Sequence, residues 1–271
     1  MSTAPWFHLA GLPDIGATVH LAREQAQHAT NARRLSAGDV VTLFDGRGGV
    51  ASGRLAGARG RDGSLAVEIV ARRHVPAPTT EVIIATAIPK GDHWSTLLDM
   101  SAQLGASAIV PIDCERSVVH AAAINRSRAD RILLEACKQS RRPWIPRLEP
   151  GSTPAAVARG AVERGAAVRG EVQRGACVVT AHPTGQAAST LLRHSLPASP
   201  TAEIGNPRLA PSPPAAQMPS TIVILIGPEG GFTEAEVDSA CAAGATAISL
   251  GDAILRVETA VVAVLTLCRL P

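Results

Sequence analysis

Tyrosine is absent from these 271 residues, and the remaining aromatics are only three Trp and three Phe. A core with so few rings has to be aliphatic, and a hydrophobic share of 46%, inflated by alanine, is enough to fill one or two domains. Lysine is nearly missing as well. Lys90 and Lys138 are the only two, and every other cation is arginine. Arginine suits bidentate contacts to phosphates and base edges, although genomic base bias yields the same composition. The net charge of +3 is mild. Cysteine is sparse: the five residues Cys114, Cys137, Cys177, Cys241 and Cys268 are odd in number and form no Cys-x-x-Cys pair. That argues against a disulfide framework and a structural zinc site, and for a reducing cytosol. No metal is expected. No apolar run approaches the roughly 20 residues that cross a bilayer. The first twelve residues lack the basic-then-apolar pattern of a signal peptide. These absences predict a cytoplasmic protein with no membrane partner.

What is present is organised around two stretches near the C-terminus. Ile222-Val223-Ile224-Leu225-Ile226 is a continuous apolar run rich in β-branched residues, the pattern of a strand buried on both faces of a parallel sheet. It stops at Gly227-Pro228 and opens into Glu229-Gly230-Gly231, where another molecule can approach the backbone closely. Thr233 with Glu236 predicts a capped helix start. Ile248-Ser249-Leu250-Gly251 repeats the scheme ahead of an apolar C-terminal helix. Two such loops at the carboxyl ends of neighbouring strands would form a ligand site of the open α/β type. Upstream, a strand at Val82–Ala87, a helix at Trp94–Leu104 and a strand at Ala108–Ile112 form the β-α-β succession of a parallel sheet. A long helix follows at Arg126–Ser140, then one interrupted helix over 151–176. A further buried strand at Ala176–Ala181 ends in His182-Pro183, a possible lining of the site.

Residues 1–75 read as a small β-rich domain with one short helix, Ala22–Leu35, and a hairpin at Asp45-Gly46 after the strand Val40–Phe44. The segment Gly46–Ala51 fits a dinucleotide-binding glycine pattern, but no helix opens there, so a hairpin is the better reading. Residues 76–80 form a proline-bearing linker to a second domain, 81–271. Within it, 196–220 is a flexible insertion rich in Pro and Ala.

The two C-terminal loops resemble those of the ribosomal RNA small subunit methyltransferase E family, in the SPOUT class of RNA methyltransferases. The family carries Leu-Ile-Gly-Pro-Glu-Gly-Gly, here Leu225 to Gly231, and Leu-Gly-x-x-Ile-Leu-Arg-x-Glu-Thr-Ala, here Leu250 to Ala260. Further matches are Pro89-Lys90-Gly91, Cys114-Glu115-Arg116-Ser117-Val118 and, in the N-terminal region, Gly38-Asp39 with Phe44-Asp45-Gly46. The resemblance implies an α/β fold: a PUA-like, RNA-holding β-barrel followed by a SPOUT parallel sheet with a C-terminal trefoil knot. It implies S-adenosylmethionine as cofactor, bound by Ile226, Gly227, Glu229, Gly230, Leu250, Gly251, Ile254, Leu255 and Thr259. Arg256, Glu258 and Glu229 become the catalytic candidates. Arg33, Arg34, Lys90, Arg116 and Arg142 become RNA contacts.

The implied reaction is methylation of N3 of a uridine in 16S ribosomal RNA of the small subunit, by a homodimer. Uracil N3 must lose its proton, which a carboxylate could accept or an arginine could favour by stabilising the anion. Two alternatives stay open. One keeps the fold but methylates a ribose 2′-oxygen on another RNA. The other is a non-catalytic RNA-binding assembly factor, motivated by departures from the family pattern at Met100, Gln103, Ala253 and Val257.

Overall fold

The computed structural model describes residues 4–27, 35–59, 63–167, 176–188 and 219–269. It divides into two compact units. One comprises residues 1–77 with Leu133–Ile145; the other comprises Pro78–Ile132 and Pro146 onward.

The first unit is a curled five-stranded sheet. Its strands are β1 (Trp6–His8), β2 (Thr18–Leu21), β3 (Val40–Phe44), β4 (Gly49–Arg59) and β5 (Leu65–His74), in the order β1-β3-β4-β5-β2. The hairpin forms as its turn signal predicts. Asp45 Oδ1 accepts from the amides of Arg47 (2.7 Å) and Gly49 (2.9 Å), and β4 returns antiparallel to β3. The glycine pattern here therefore opens a strand, not a nucleotide-binding helix. Register breaks in the β4–β5 ladder, at Ser52/Gly53 and again at Leu55/Arg59, bend these long strands, as bulges do. Inside the curl lie Phe7, Leu21, Val41, Leu43, Val67 and Ile69. The helix expected over Ala22–Leu35 is the short α1 (Arg23–Gln27); Leu35 is non-helical, and 28–34 lie outside the described residues.

The second unit is a wholly parallel sheet in the order β11-β9-β10-β6-β7-β8. Its strands are β6 (Glu81–Thr86), β7 (Ala108–Pro111), β8 (Arg147–Leu148), β9 (Ala176–Ala187), β10 (Thr221–Ile226) and β11 (Thr246–Ser249). Its helices are α2 (His93–Leu104), α3 (Arg126–Ser140, which continues into the first unit), α4 (Pro154–Ala167), α5 (Glu234–Ala242) and α6 (Val257–Arg269). The apolar run Ile222–Ile226 is central and covered on both faces. Ile222, Ile224 and Ile226 pack with Leu97 of α2 and Val261, Val264 and Leu265 of α6. Val223 and Leu225 pack with Val157, Ala158 and Ala161 of α4 and Ala240 of α5. The period-2 alternation of a strand sends neighbouring residues to opposite layers, which is why the whole run is apolar. Part of the helix expected over 151–176, and the insertion at 196–220 up to residue 218, lie outside the described residues. No helix among the described residues is long and apolar enough to cross a membrane.

Gly105 ends α2 in the left-handed conformation, φ +82°. Its carbonyl is one of three acceptors held by Arg269 at the far end of α6. Arg269 Nε donates to Gly105 O (3.0 Å), Nη1 to Thr80 O (2.9 Å) and Nη2 to Ser107 Oγ (3.0 Å). One side chain thus ties the last helix to the start of β6 and the end of α2. Truncating it strands three partly buried acceptors. Arg269→Ala is expected to cost about 3 kcal/mol, lowering the thermal midpoint by roughly 6–10 °C. A melt followed by circular dichroism measures this, and a loss under about 2 °C would show that α6 is held by packing alone.

Candidate functional site

A cleft of about 290 Å³ opens at the carboxyl ends of β10 and β11, against the middle of β9. Two of its walls are the glycine loops that follow β10 and β11; Val257 and Ala260 of α6 close it behind. The third wall comes from β9. In the β9–β11 pairing, Ala247 faces Thr180 but Ile248 faces Gln186, so residues 181–185 bulge out of the ladder. Ala181, His182 and Pro183 of that bulge line the cleft. A bulge re-aims side chains and relieves the ladder of a residue without an N–H, here Pro183.

The two loops therefore do not sit on neighbouring strands, as the sequence reading had it: β9 runs between β10 and β11. The chain leaving β10 crosses through α5 and returns one strand further out, past an edge already occupied. β9 is correspondingly longer than the expected Ala176–Ala181, and His182-Pro183 lies within it, not at its end.

Each loop is held by local bonds. In the first, Gly231 N donates to Pro228 O (2.8 Å), closing a turn. The predicted capping box then starts α5: Thr233 N donates to Glu236 Oε2 (2.9 Å), and Glu236 N to Thr233 Oγ1 (3.3 Å). In the second, Ser249 Oγ bonds both sides of the bend, accepting from Gly251 N (3.3 Å) and donating to Gly251 O (3.2 Å). The amides of Glu229 and Gly230 have no acceptor among the described residues. Both residues line the cleft, with the apolar Ile226, Leu250, Leu255, Val257 and Ala260. Aliphatic walls next to unpaired main-chain donors suit a flat heteroaromatic group whose edge carries acceptors.

Of the cofactor candidates, Ile226, Gly227, Glu229, Gly230, Leu250, Gly251, Ile254 and Leu255 all line this cleft; Thr259 does not, and is exposed on α6. Ile254 is 95% exposed. Among the catalytic candidates, Glu229 is exposed on the lining and Arg256 is exposed beside it in the chain. Glu258 turns elsewhere: its Oε1 lies 2.9 Å from His93 Nδ1, with the carboxylate side chain 13% exposed. Arg116 donates to the carbonyl of Gly230 (2.7 Å), and Lys90 is exposed. Arg142 is in the first unit, and Arg33 and Arg34 lie outside the described residues.

Phe232, Ser249 and Asp252 also line the cleft, and His93 partners Glu258. None of these was singled out in the sequence; only their adjacency to the motif glycines could have pointed to the first three. Among the described residues no group of His, Cys, Asp or Glu could hold a metal ion. Burial, reinforced by the nearby Glu236 charge, pushes the Cys114 thiol up to about 12. It stays protonated at neutral pH, and it does not line the cleft.

Residues 76–269 match the model of an RNA methyltransferase domain, and residues 21–69 that of an RNA methyltransferase PUA domain. Ribosomal RNA small subunit methyltransferase E of Synechocystis is 30% identical over 246 residues, covering 91% of this chain and 71% of that protein. The Bacillus subtilis protein of that name is 28% identical, covering 90% and 86%. The crystal structure of the Neisseria gonorrhoeae enzyme bound to S-adenosylmethionine superposes with a TM-score of 0.71, at 26% identity, over 97% of this chain and 96% of that one. With the RNA methyltransferase model matched over most of its length, and the Synechocystis enzyme similar over nearly all of it, this chain belongs to the ribosomal RNA small subunit methyltransferase E family.

Proposed function

We propose that this chain transfers the methyl group of S-adenosylmethionine to N3 of a uridine in 16S ribosomal RNA, acting in the cytoplasm on the small ribosomal subunit. The observation that carries the reading is the cleft at the carboxyl ends of β10 and β11, beside the bulge of β9. Its unpaired Glu229 and Gly230 amides and aliphatic walls fit an adenosine moiety, and its family relatives act on small-subunit RNA by name. When bound, S-adenosylmethionine supplies a methyl group on a sulfonium, so what the protein must provide is alignment of donor and acceptor.

Ile226, Gly227, Gly230, Leu250, Gly251 and Leu255 hold the donor between the two loops. Glu229, exposed on the cleft lining, is the carboxylate best placed to take the N3 proton. Arg256 stabilises the negative charge that develops on the uracil. Glu258 serves as the tie between α6 and α2 through His93, and Thr259 supports the donor from the first turn of α6. Lys90, Arg33, Arg34 and Arg142 contact the RNA backbone, the last three from the PUA-like unit. The finer architecture belongs to the same reading: α6 is threaded through an earlier loop as a trefoil knot, and two copies pack as a homodimer.

Nucleoside mass spectrometry of 16S ribosomal RNA from cells lacking the gene tests the proposal. 3-Methyluridine is expected to vanish and to return on complementation. An intact mark would overturn the assignment.

A further inference from the structure

We propose that Arg116 is a positioning residue that clamps the first glycine loop from behind, so that the loop's amides are already set for the cofactor. The proposal rests on the cofactor reading of the cleft and adds a part the cleft lining does not contain. In the loop Gly227–Phe232 the buried Pro228 and Phe232 anchor two positions, but Gly230 and Gly231 between them have no side chains to hold them, and glycine loses more conformational freedom on ordering than any other residue. Something outside the loop has to fix it if binding is not to bear that cost.

The segment after β7 supplies this. Arg116 Nη1 donates to Gly230 O at 2.7 Å and lies 3.5 Å from Phe232 O, bonds that span 114 and 116 residues of sequence. Next to it, Glu115 N donates to Glu236 Oε1 at 2.8 Å, while the other oxygen of Glu236 caps α5 through Thr233. The loop is thus gripped at two points, its carbonyls by a cation and its helical end by a carboxylate that serves both segments. The gripping segment is itself rigid. Ser117 N donates to Cys114 O (3.0 Å), and Cys114 N donates to Ser117 Oγ (3.0 Å), so Arg116 projects from a closed turn. With the Gly230 and Phe232 carbonyls held this way, the Glu229 and Gly230 amides are among those of the loop left without an acceptor among the described residues, and both residues line the cleft. One guanidinium nitrogen, Nη1, serves both carbonyls from a planar group of fixed orientation, whereas a lysine ammonium would grip them as a point charge.

The test compares wild type with Arg116→Ala and Arg116→Lys. Arg116 is exposed, so neither change opens a hole in the core. Hydrogen exchange of residues 227–232, measured without ligand, is expected to accelerate about fivefold in Arg116→Ala. In calorimetry, S-adenosylmethionine affinity is expected to fall by about the same factor, with partial rescue by Arg116→Lys. Affinity for a 16S RNA fragment should stay at the wild-type value. Unchanged exchange in Arg116→Ala would overturn the clamp. So would a variant that loses RNA affinity but keeps cofactor affinity, since Arg116 would then be a phosphate contact. The ligand-free exchange keeps the two questions apart: wild type that fails to bind S-adenosylmethionine overturns the cofactor reading of the cleft, whatever the exchange shows.

Discussion

Gly251→Val is expected to weaken S-adenosylmethionine binding by roughly a hundredfold while leaving the fold nearly as stable as wild type. Gly251 has φ +114°, a conformation that a β-branched residue adopts only under severe strain. A Cβ built there meets nothing within 4 Å, so the penalty is wholly backbone strain and not a clash. Such strain costs of order 1–3 kcal/mol. The loop escapes it by rotating residue 251 to negative φ, which breaks both bonds with Ser249 and re-aims the wall formed by Leu250 and Leu255. Because Gly251 to Ile254 are exposed, that rearrangement disturbs little of the core. Titration calorimetry and a thermal melt on the same preparation check both halves. Cofactor affinity within about threefold of wild type would mean that the second loop does not shape the site.

The outcome at Gly251 turns on a residue that could be picked out in the chain; other parts of the site could not. Ile222–Ile226 announces a doubly covered strand because local alternation is missing from it, and Thr233 with Glu236 announces a helix start because the capping bonds span only three residues. Asp45-Gly46 announces a hairpin for the same reason. All three are read from patterns that span only a few residues. The place of β9 between β10 and β11 depends on which strand edges are free when the chain returns, and no local pattern encodes that. The bulge at 181–185 was hidden for a related reason. It exists only relative to the register of β11, some sixty residues later, and Pro183 argues against a strand when read alone. His93 and Glu258, 2.9 Å apart in space, are separated by most of the second unit in sequence. The family motifs flagged Arg116 as a residue of interest but said nothing of where its guanidinium points. Motif residues are legible one by one; which of them meet is decided by strand order.

Gly185→Val is the counterpart of Gly251→Val, a clash without a left-handed φ, and it should act mainly on stability. A Cβ at Gly185 would lie 2.5 Å from both the N and the C of Ile248 and 2.6 Å from the C of Ala247. These are main-chain atoms of β11, so no rotamer change makes room, and β9 and β11 must part by roughly 1 Å to restore ordinary contact. Parting them weakens the pairs Ile248↔Gln186 and Ser249↔Ala187, which are the ones that resume after the bulge. It also draws Ile248, fully buried, out of the cluster it shares with Val179, Ile224 and Val261. Overpacking and lost pairing together are expected to cost about 3 kcal/mol or more, a fall of roughly 6–10 °C in thermal midpoint. Cofactor affinity should drop with it, because Ser249 at the end of β11 pins the second loop. Gly185→Ala, which carries the same Cβ without its branches, should lose most of that stability too, since the first added carbon already makes the collision. If both variants melt within about 1 °C of wild type, β11 does not lie against β9 as the structure has it, and the third wall of the cleft falls with it.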